Sequence, residues 1–443
     1  MDHTAPDTAP AIGFWQACRY WLKLGFISFG GPAGQIAIMH QELVERRCWI
    51  SERRFLHALN YCMVLPGPEA QQLATYIGWL LHGTWGGIVA GALFVLPSWF
   101  ILSFLAWLYL AFGHLPAIAG VLYGIKPAVT AIVVFAAYRI GSRALKNGLL
   151  WAMAAVAFIA ISAFEVAFPY IVLAAGILGL IGGQIAPAKF TTGDGHRAAD
   201  KGFGPAYIDD EAPLPEHARF RLRRLLRFAG IGFSLWAGAF GLLIARYGWQ
   251  GILSQMAWFF TKAALLTFGG AYAVLPYVYQ GAVGHYHWLT GPQMIDGLAL
   301  GETTPGPLIM IVTFVGFTGA WTNAVFGADS LLLSGIAGGT IATFFTFLPS
   351  FLFILIGGPL IESTQGEITF TAPLTGITAA VVGVILNLAV FFAYHVLWPQ
   401  GLSGPFEWFS ALIGMAAFIA LFRYQLGIIP VIAGCGGLGL VYS

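Results

Sequence analysis

Long apolar runs with few or no charges dictate the solvent of this chain. Residues 87–112, 115–138, 149–164, 167–187, 225–245, 335–360, 372–395, 407–422 and 426–442 all read this way. A bilayer core needs about 20 apolar residues per helix, and most of these runs suffice. Charged residues make up only 9% of the 443 positions while 58% are hydrophobic; soluble domains carry roughly a quarter charged residues. So few charges cannot cover a water-facing surface, so the expected fold is an all-α polytopic membrane protein with lipid as its partner. A nucleic-acid partner is not expected. The start, MDHTAPDTAP, lacks the basic residues and compact apolar core of a cleaved signal peptide. Cys18, Cys48, Cys62 and Cys435 are scattered without a CxxC, which indicates no disulfide framework, metal site or cofactor.

Residues 188–224 form the one long polar stretch and divide the chain into repeats spanning 1–187 and 225–443. A shift of 239 residues sets Lys23 on Lys262, Phe29-Gly30-Gly31 on Phe268-Gly269-Gly270, Trp49 on Trp288 and Pro66-Gly67-Pro68 on Pro305-Gly306-Pro307. Over 21–68 against 260–307, 11 of 48 positions are identical without a gap. A shift of 252 then sets Leu96-Pro97-Ser98 on Leu348-Pro349-Ser350, which places a 13-residue insertion around 321–334. Shared apolar composition does not put two FGG and two PGP motifs at one spacing. The polar stretch reads as a cytoplasmic linker, and ARFRLRRLLRF at 218–228 as an amphipathic segment suited to anionic lipid.

Basic residues are unequally divided: 18 of 21 precede residue 228. The loop 41–54 has four arginines and its counterpart, 280–293, has no lysine or arginine. Short basic loops stay cytoplasmic, so the repeats are expected to be inverted. If FGG and PGP each mark the tip of a re-entrant hairpin, the first half contributes two hairpins and four spanning helices and returns to the cytoplasm at the linker, and the helix at 225–245 turns the second half over.

Proline within a helix removes an N–H and clashes with the carbonyl four residues back. Breaks in hydrocarbon survive only inside protein or beside a polar cavity. The helix that restarts after PGP points free N–H groups and a positive dipole end at the break, which suits an anion. Discontinuous helices of two inverted repeats meeting at mid-membrane are the plan of many secondary transporters. Candidate substrate contacts are therefore Gly30, Gly31, Pro66, Gly67, Pro68, Gly269, Gly270, Pro305, Gly306 and Pro307, with the hydrogen-bonding Gln71, Gln72, Thr303 and Thr304. Intramembrane ionisable groups are functional candidates by default. Lys126 is the deepest cation, and Lys23 and Lys262 match across the repeat. Glu302, Glu69 and Asp296 lie near the breaks and are candidates for a coupling proton; Glu69 could instead cap its own helix. Glu165 and Asn387 are weaker candidates, and the histidines of HYH at 285–287 read as loop residues.

FGGP at 29–32, PGPEAQQLA at 66–74 and LPS at 96–98, with FGG, PGP and LPS again in the second half, resemble the chromate ion transporter family over nearly the whole chain. The resemblance implies a non-enzymatic antiporter that exports chromate, driven by the proton motive force, from the inner membrane of a prokaryote. A homodimer is open. Ala271 replaces the proline after FGG in the second copy, and Leu308 stands where Glu69 would be, so the halves are expected to differ in task. Sulfate shares the charge and shape of chromate, so the residues alone indicate a tetrahedral oxyanion. A passive anion channel is the alternative, and no HExxH or GxSxG supports a membrane enzyme.

Overall fold

The computed structural model describes residues 12–29, 31–190, 206–209, 215–268, 270–364 and 371–442. These form helices joined by short turns, with one isolated β-bridge between Ile50 and Ile208. The first half comprises α1 (Phe14–Ile27), α2 (Gly31–His40), α3 (Glu52–Val64), α4 (Glu69–Phe112), α5 (Pro116–Ala144), α6 (Gly148–Phe164), α7 (Phe168–Ile185) and the short α8 (Pro187–Phe190). After α9 (Leu222–Tyr247) come α10 (Ile252–Leu266), α11 (Ala271–Tyr279), α12 (Gly291–Thr303), α13 (Ile311–Thr322), α14 (Leu331–Thr364), α15 (Thr371–Leu397), α16 (Trp408–Phe422) and α17 (Ile428–Tyr442). Six helices among the described residues are long and apolar enough to cross a membrane, α9 among them.

Local chemistry repeats with the sequence. Both α2 and α11 run into a six-residue π-helical turn, Gln41–Arg46 and Gln280–His285. Ser51 caps α3 through the Arg54 N–H (3.2 Å), and Thr290, its counterpart, closes a capping box on α12 with Gln293. The halves differ where the insertion was expected. In α4 the turn after the PGP limb is only a kink at His82 and Gly83, whereas α13 and α14 are separate helices joined through a 3₁₀ turn, Ala328–Ser330.

Packing interleaves the halves. α1 lies on α4 and α10 on α14, while α5 packs against α16 and α17, and α15 against α6 and α7. Backbones meet at small residues: a Cβ on Gly124 would lie 2.0 Å from the Cys435 carbonyl oxygen, and one on its counterpart Gly376 would lie 2.5 Å from that of Ala175. Contacts that pair element A with B′ and A′ with B define an approximate two-fold relation. A hydrophobic core runs through both repeats, and a second cluster gathers α1, α3 and the first limb of α4 with Ile354 and Leu355 of α14.

The linker differs from the solvated segment expected, as far as it is described. Ile208 N–H donates to the Trp49 carbonyl (3.0 Å) and Ser51 N–H to that of Ile208 (3.0 Å), so the segment adds to the basic loop. The His217 ring bonds the Trp79 carbonyl (2.8 Å). The basic run 218–228 makes no separate surface helix, because Leu222 already begins the long apolar α9. Residues 191–205 and 210–214 of the linker lie outside the described residues.

Candidate functional site

The two PGP breaks meet. α3 ends at Val64 and α4 begins at Glu69; α12 ends at Thr303, and a 3₁₀ turn restarts at Leu308. Between them Gly67 (φ +130°) and Gly306 (φ +105°) adopt backbone that a side chain would strain. Each glycine is bonded to the opposite half: Gly67 N–H donates to the Thr267 carbonyl (2.8 Å) and Gly306 N–H to that of Ser28 (2.7 Å). Ser28 and Thr267 are equivalent residues, each just ahead of FGG. The tip of each PGP hairpin is therefore held by the FGG turn of the other repeat.

The LPS serines complete the crossing, and here the symmetry ends. Ser98 donates to the Pro305 carbonyl. Its counterpart Ser350 lies against Gly67, where a Cβ would come within 2.4 Å of its Oγ, but the Pro66 carbonyl accepts from Gln72 Nε2 (2.8 Å). Gln35 on α2 donates to the Gly306 carbonyl (2.6 Å). The second half has Val274 and Ile311 where the first has Gln35 and Gln72. Around this crossing the buried Ser28 Oγ, Ser350 Oγ, Gln35 Oε1, Gln71 Oε1 and Gln72 Oε1 have no hydrogen-bond partner among the described residues. Each such group costs about 1–3 kcal/mol when left unpaired, so five together mark a place built for a polar guest.

The expected helix start is present after the first PGP: Glu69, Ala70 and Gln71 precede the first intrahelical bond of α4, from Gln72 N–H to the Pro68 carbonyl (3.0 Å). The breaks pack on one another rather than flanking an open cavity, with Gly67, Pro68, Gln71, Gln72 and Pro305–Pro307 all buried. Gly31 opens α2 and Gly270 caps α11; Gly30 and Gly269 lie outside the described residues. Thr303 and Thr304 turn their hydroxyl donors back onto the Leu300 carbonyl (2.9 and 2.7 Å), so those donors face their own helix.

Each of three buried carboxylates takes a tyrosine hydroxyl. Tyr272 donates to Glu302 (2.5 Å), Tyr109 to Asp296 (2.9 Å) and Tyr76 to Glu362 (2.6 Å). The last two pairs join α4 to α12 and to α14, across the halves. Lys126 lies 3.4 Å from Asp296, so the deepest cation is an ion-pair partner rather than a free charge at the crossing. Arg54 lies 3.7 Å from Glu362. Arg139 on α5 is within electrostatic reach of both Tyr272 and Glu302. Glu69 has no ion-pair or side-chain hydrogen-bond partner among the described residues and does not cap its helix. Sequence reasoning missed Glu362 and the tyrosines; the acid in PLIEST, ending an apolar run, was the available signal.

Lys23 and Lys262 do not converge on the crossing. Lys262 stands 5.5 Å over the Trp258 ring on α10, and Lys23 points outward from α1. Glu165 is exposed past the end of α6.

Comparison with known proteins agrees with this duplicated plan. A family model described as chromate transporter matches residues 15–180 and again 254–440. The chain is 32% identical to a chromate transport protein of Pseudomonas aeruginosa, covering 99% of this chain and 94% of the relative. It is 30% identical to a chromate transport protein of Cupriavidus metallidurans over 98% and 94% of the two chains. An uncharacterized transporter of Bacillus subtilis is 31% identical over 31% of this chain and 70% of its own. No solved structure matches.

Proposed function

Because the chain belongs to the chromate transporter family, we propose that it exports chromate, or a related tetrahedral oxyanion such as sulfate, through a prokaryotic inner membrane in exchange for protons. The observation that carries this reading is the reciprocal bonding of Gly67 to Thr267 and Gly306 to Ser28. It brings both helix breaks to one crossing where the buried Ser28 and Ser350 hydroxyls have no partner among the described residues and can donate; the Gln35, Gln71 and Gln72 amide oxygens beside them only accept. A tetrahedral dianion would draw donors from the Ser28 and Ser350 hydroxyls and the free amides that start α4.

Inverted repeats follow from counting passes. The hairpins α1–α2 and α3 with the first limb of α4 return to the side they left. The second limb of α4, α5, α6 and α7 make an even number of crossings, and α9 adds one more. The second half then starts from the opposite face, which also explains why its loop 280–293 has no lysine or arginine where 41–54 has four arginines. In this reading the halves are the transporter repeats 1–187 and 225–443, and 188–224 is cytoplasmic. Glu302 and Glu69 are the proton sites. Glu302 can hold its proton as a donor or release it and keep the Tyr272 bond, while Glu69 opens the helix that a dianion approaches, so protonating it removes a repulsion. The Asp296–Lys126 pair joins α12 to α5 and ties the proton-carrying helix to the scaffold.

The test is flux of chromate and sulfate in proteoliposomes, with and without an imposed proton gradient. Gradient-driven chromate accumulation supports the proposal. Equal handling of both anions keeps the oxyanion site and removes the chromate preference. Flux that ignores the gradient identifies a channel.

A further inference from the structure

A cleft of about 420 Å³ opens on the outer face of α1, away from the PGP crossing, lined by Trp15, Gln16, Arg19, Tyr20, Lys23 and Arg47. That space holds many waters, room for a dianion with part of its hydration shell. Arg19 and Lys23 are one helical turn apart on the exposed stripe of α1 and make no ion pair or hydrogen bond among the described residues. Arg47 reaches in from the basic loop; it is fixed by Glu42 (3.2 Å) and lies 5.0 and 5.2 Å from the Tyr20 and Trp49 ring centres. Glu42 also takes Arg46 (2.7 Å), so its single charge is shared by two guanidiniums. Tyr20, 4% exposed, underlies the cleft, and its buried hydroxyl has no hydrogen-bond partner among the described residues. Three cations around one concavity are the makings of an oxyanion site.

The second repeat has nothing like it. The positions equivalent to Arg19, Tyr20 and Arg47 are Trp258, Phe259 and Tyr286. Lys262 is taken by the Trp258 ring (5.5 Å), and α9 covers α10, its Trp236 bonding Thr261 (3.1 Å). The cleft lies beside the basic loop 41–54, and of its three cations only Lys23 has a basic counterpart in the second repeat, Lys262. We infer that it is a second oxyanion site, a capture site for the free tetrahedral dianion on the side of the basic loop; the inference rests on the oxyanion reading above.

Tracer sulfate binding to the full chain in phosphatidylcholine nanodiscs tests it. Wild-type protein is expected to bind two sulfates and Arg19→Gln/Lys23→Gln one, with Arg19→Lys/Lys23→Arg restoring two. Both substituted positions are exposed, so the fold is retained and melting temperature checks it. Equal stoichiometry and affinity in wild type and the glutamine variant overturns the site. Loss of the second sulfate from wild type when phosphatidylglycerol replaces phosphatidylcholine assigns the cleft to lipid headgroups and overturns capture of the free anion. A single wild-type sulfate that the glutamine variant abolishes keeps the cleft and removes the PGP crossing instead.

Discussion

Replacing Gly306 with alanine should be more harmful than replacing Gly67, and the structure says through which atom. At Gly306 the φ of +105° alone sets a backbone cost of about 1–3 kcal/mol. The new Cβ would fall 1.8 Å from Ser98 Oγ and 3.1 Å from Ser98 Cβ, an overpacking that adds about 1–3 kcal/mol. Ser98→Ala alone leaves the buried Pro305 carbonyl without its donor, a loss of about 1–3 kcal/mol. In Gly306→Ala/Ser98→Ala the 1.8 Å contact disappears and the 3.1 Å one is all that persists. The double variant should therefore be less destabilised than the sum of the singles by about 1–3 kcal/mol, the overpacking share. At Gly67 the neighbours are Ser350 Oγ at 2.4 Å and the flexible Gln72 amide at 2.6 Å, so Gly67→Ala meets atoms that can yield. Thermal unfolding of the purified proteins gives the cycle, and chromate flux reports whether the crossing still works. Additive singles, or a Gly306→Ala no worse than Gly67→Ala, would refute the argument that Ser98 is what Gly306 is shaped around.

Three further predictions follow from the same geometry. Glu302→Gln keeps an acceptor for Tyr272 but no titrating group, so anion-coupled proton movement, read with a pH dye in proteoliposomes, should drop by more than about tenfold, a change of some 1.4 kcal/mol, with little shift in melting; wild-type proton movement would remove Glu302 from coupling. Ser350 Oγ has no partner among the described residues, so Ser350→Ala should leave melting unchanged or raise it while slowing transport, and unchanged transport would show that the hydroxyl is idle. Burial lowers the His217 pKa below its ordinary 6.5. The unfolded ring then binds protons that the docked ring refuses, so the docking contributes fully above pH 6.5 and is lost as pH falls through the lowered value; hydrogen exchange of residues 216–218, corrected for intrinsic rate, should rise on acidification, and His217→Gln should abolish that dependence.

How far the sequence carried the reading can be judged residue by residue. The helical hairpins at FGG and PGP, the register of the repeats and the insertion before α14 were legible, because proline and glycine impose backbone limits that hold in any context. The meeting of Gly67 with Thr267 was not, since a hydrogen bond between positions 200 residues apart leaves no periodic trace. Charges misled in an instructive way. Matching Lys23 to Lys262 suggested a shared inward task, yet a lysine on an exposed helix stripe serves whatever lies outside it, and what lies outside differs because α9 packs on α10 and α14 of the second repeat. Lys126 drew attention for its depth, but depth raises the cost of an unpaired charge, and that same cost selects the Asp296 partner found 3.4 Å away.

The backbone and side chains of the crossing obey different symmetries, and the difference has a physical consequence. Gly67 to Thr267 and Gly306 to Ser28 are equivalent bonds of nearly equal length, 2.8 and 2.7 Å. The serines are equivalent in position and opposite in state: Ser98 is bonded to Pro305, and Ser350 is free beside Gly67 because Gln72 already occupies the Pro66 carbonyl. If Gln72 let go, Ser350 could take Pro66 as Ser98 takes Pro305, and the bond count would not change. The two-fold-related arrangement is not open to this chain on equal terms: it would set Ile311 against the Pro305 carbonyl in the role of Gln72 and Val274 in that of Gln35, and neither can donate. A guest that takes the Ser350 and Gln72 groups for itself would therefore act on the first PGP tip alone. The glutamines that break the symmetry occur in the first repeat alone, so the preference for the packed state described here resides in Gln35 and Gln72 rather than in the PGP breaks that both repeats share.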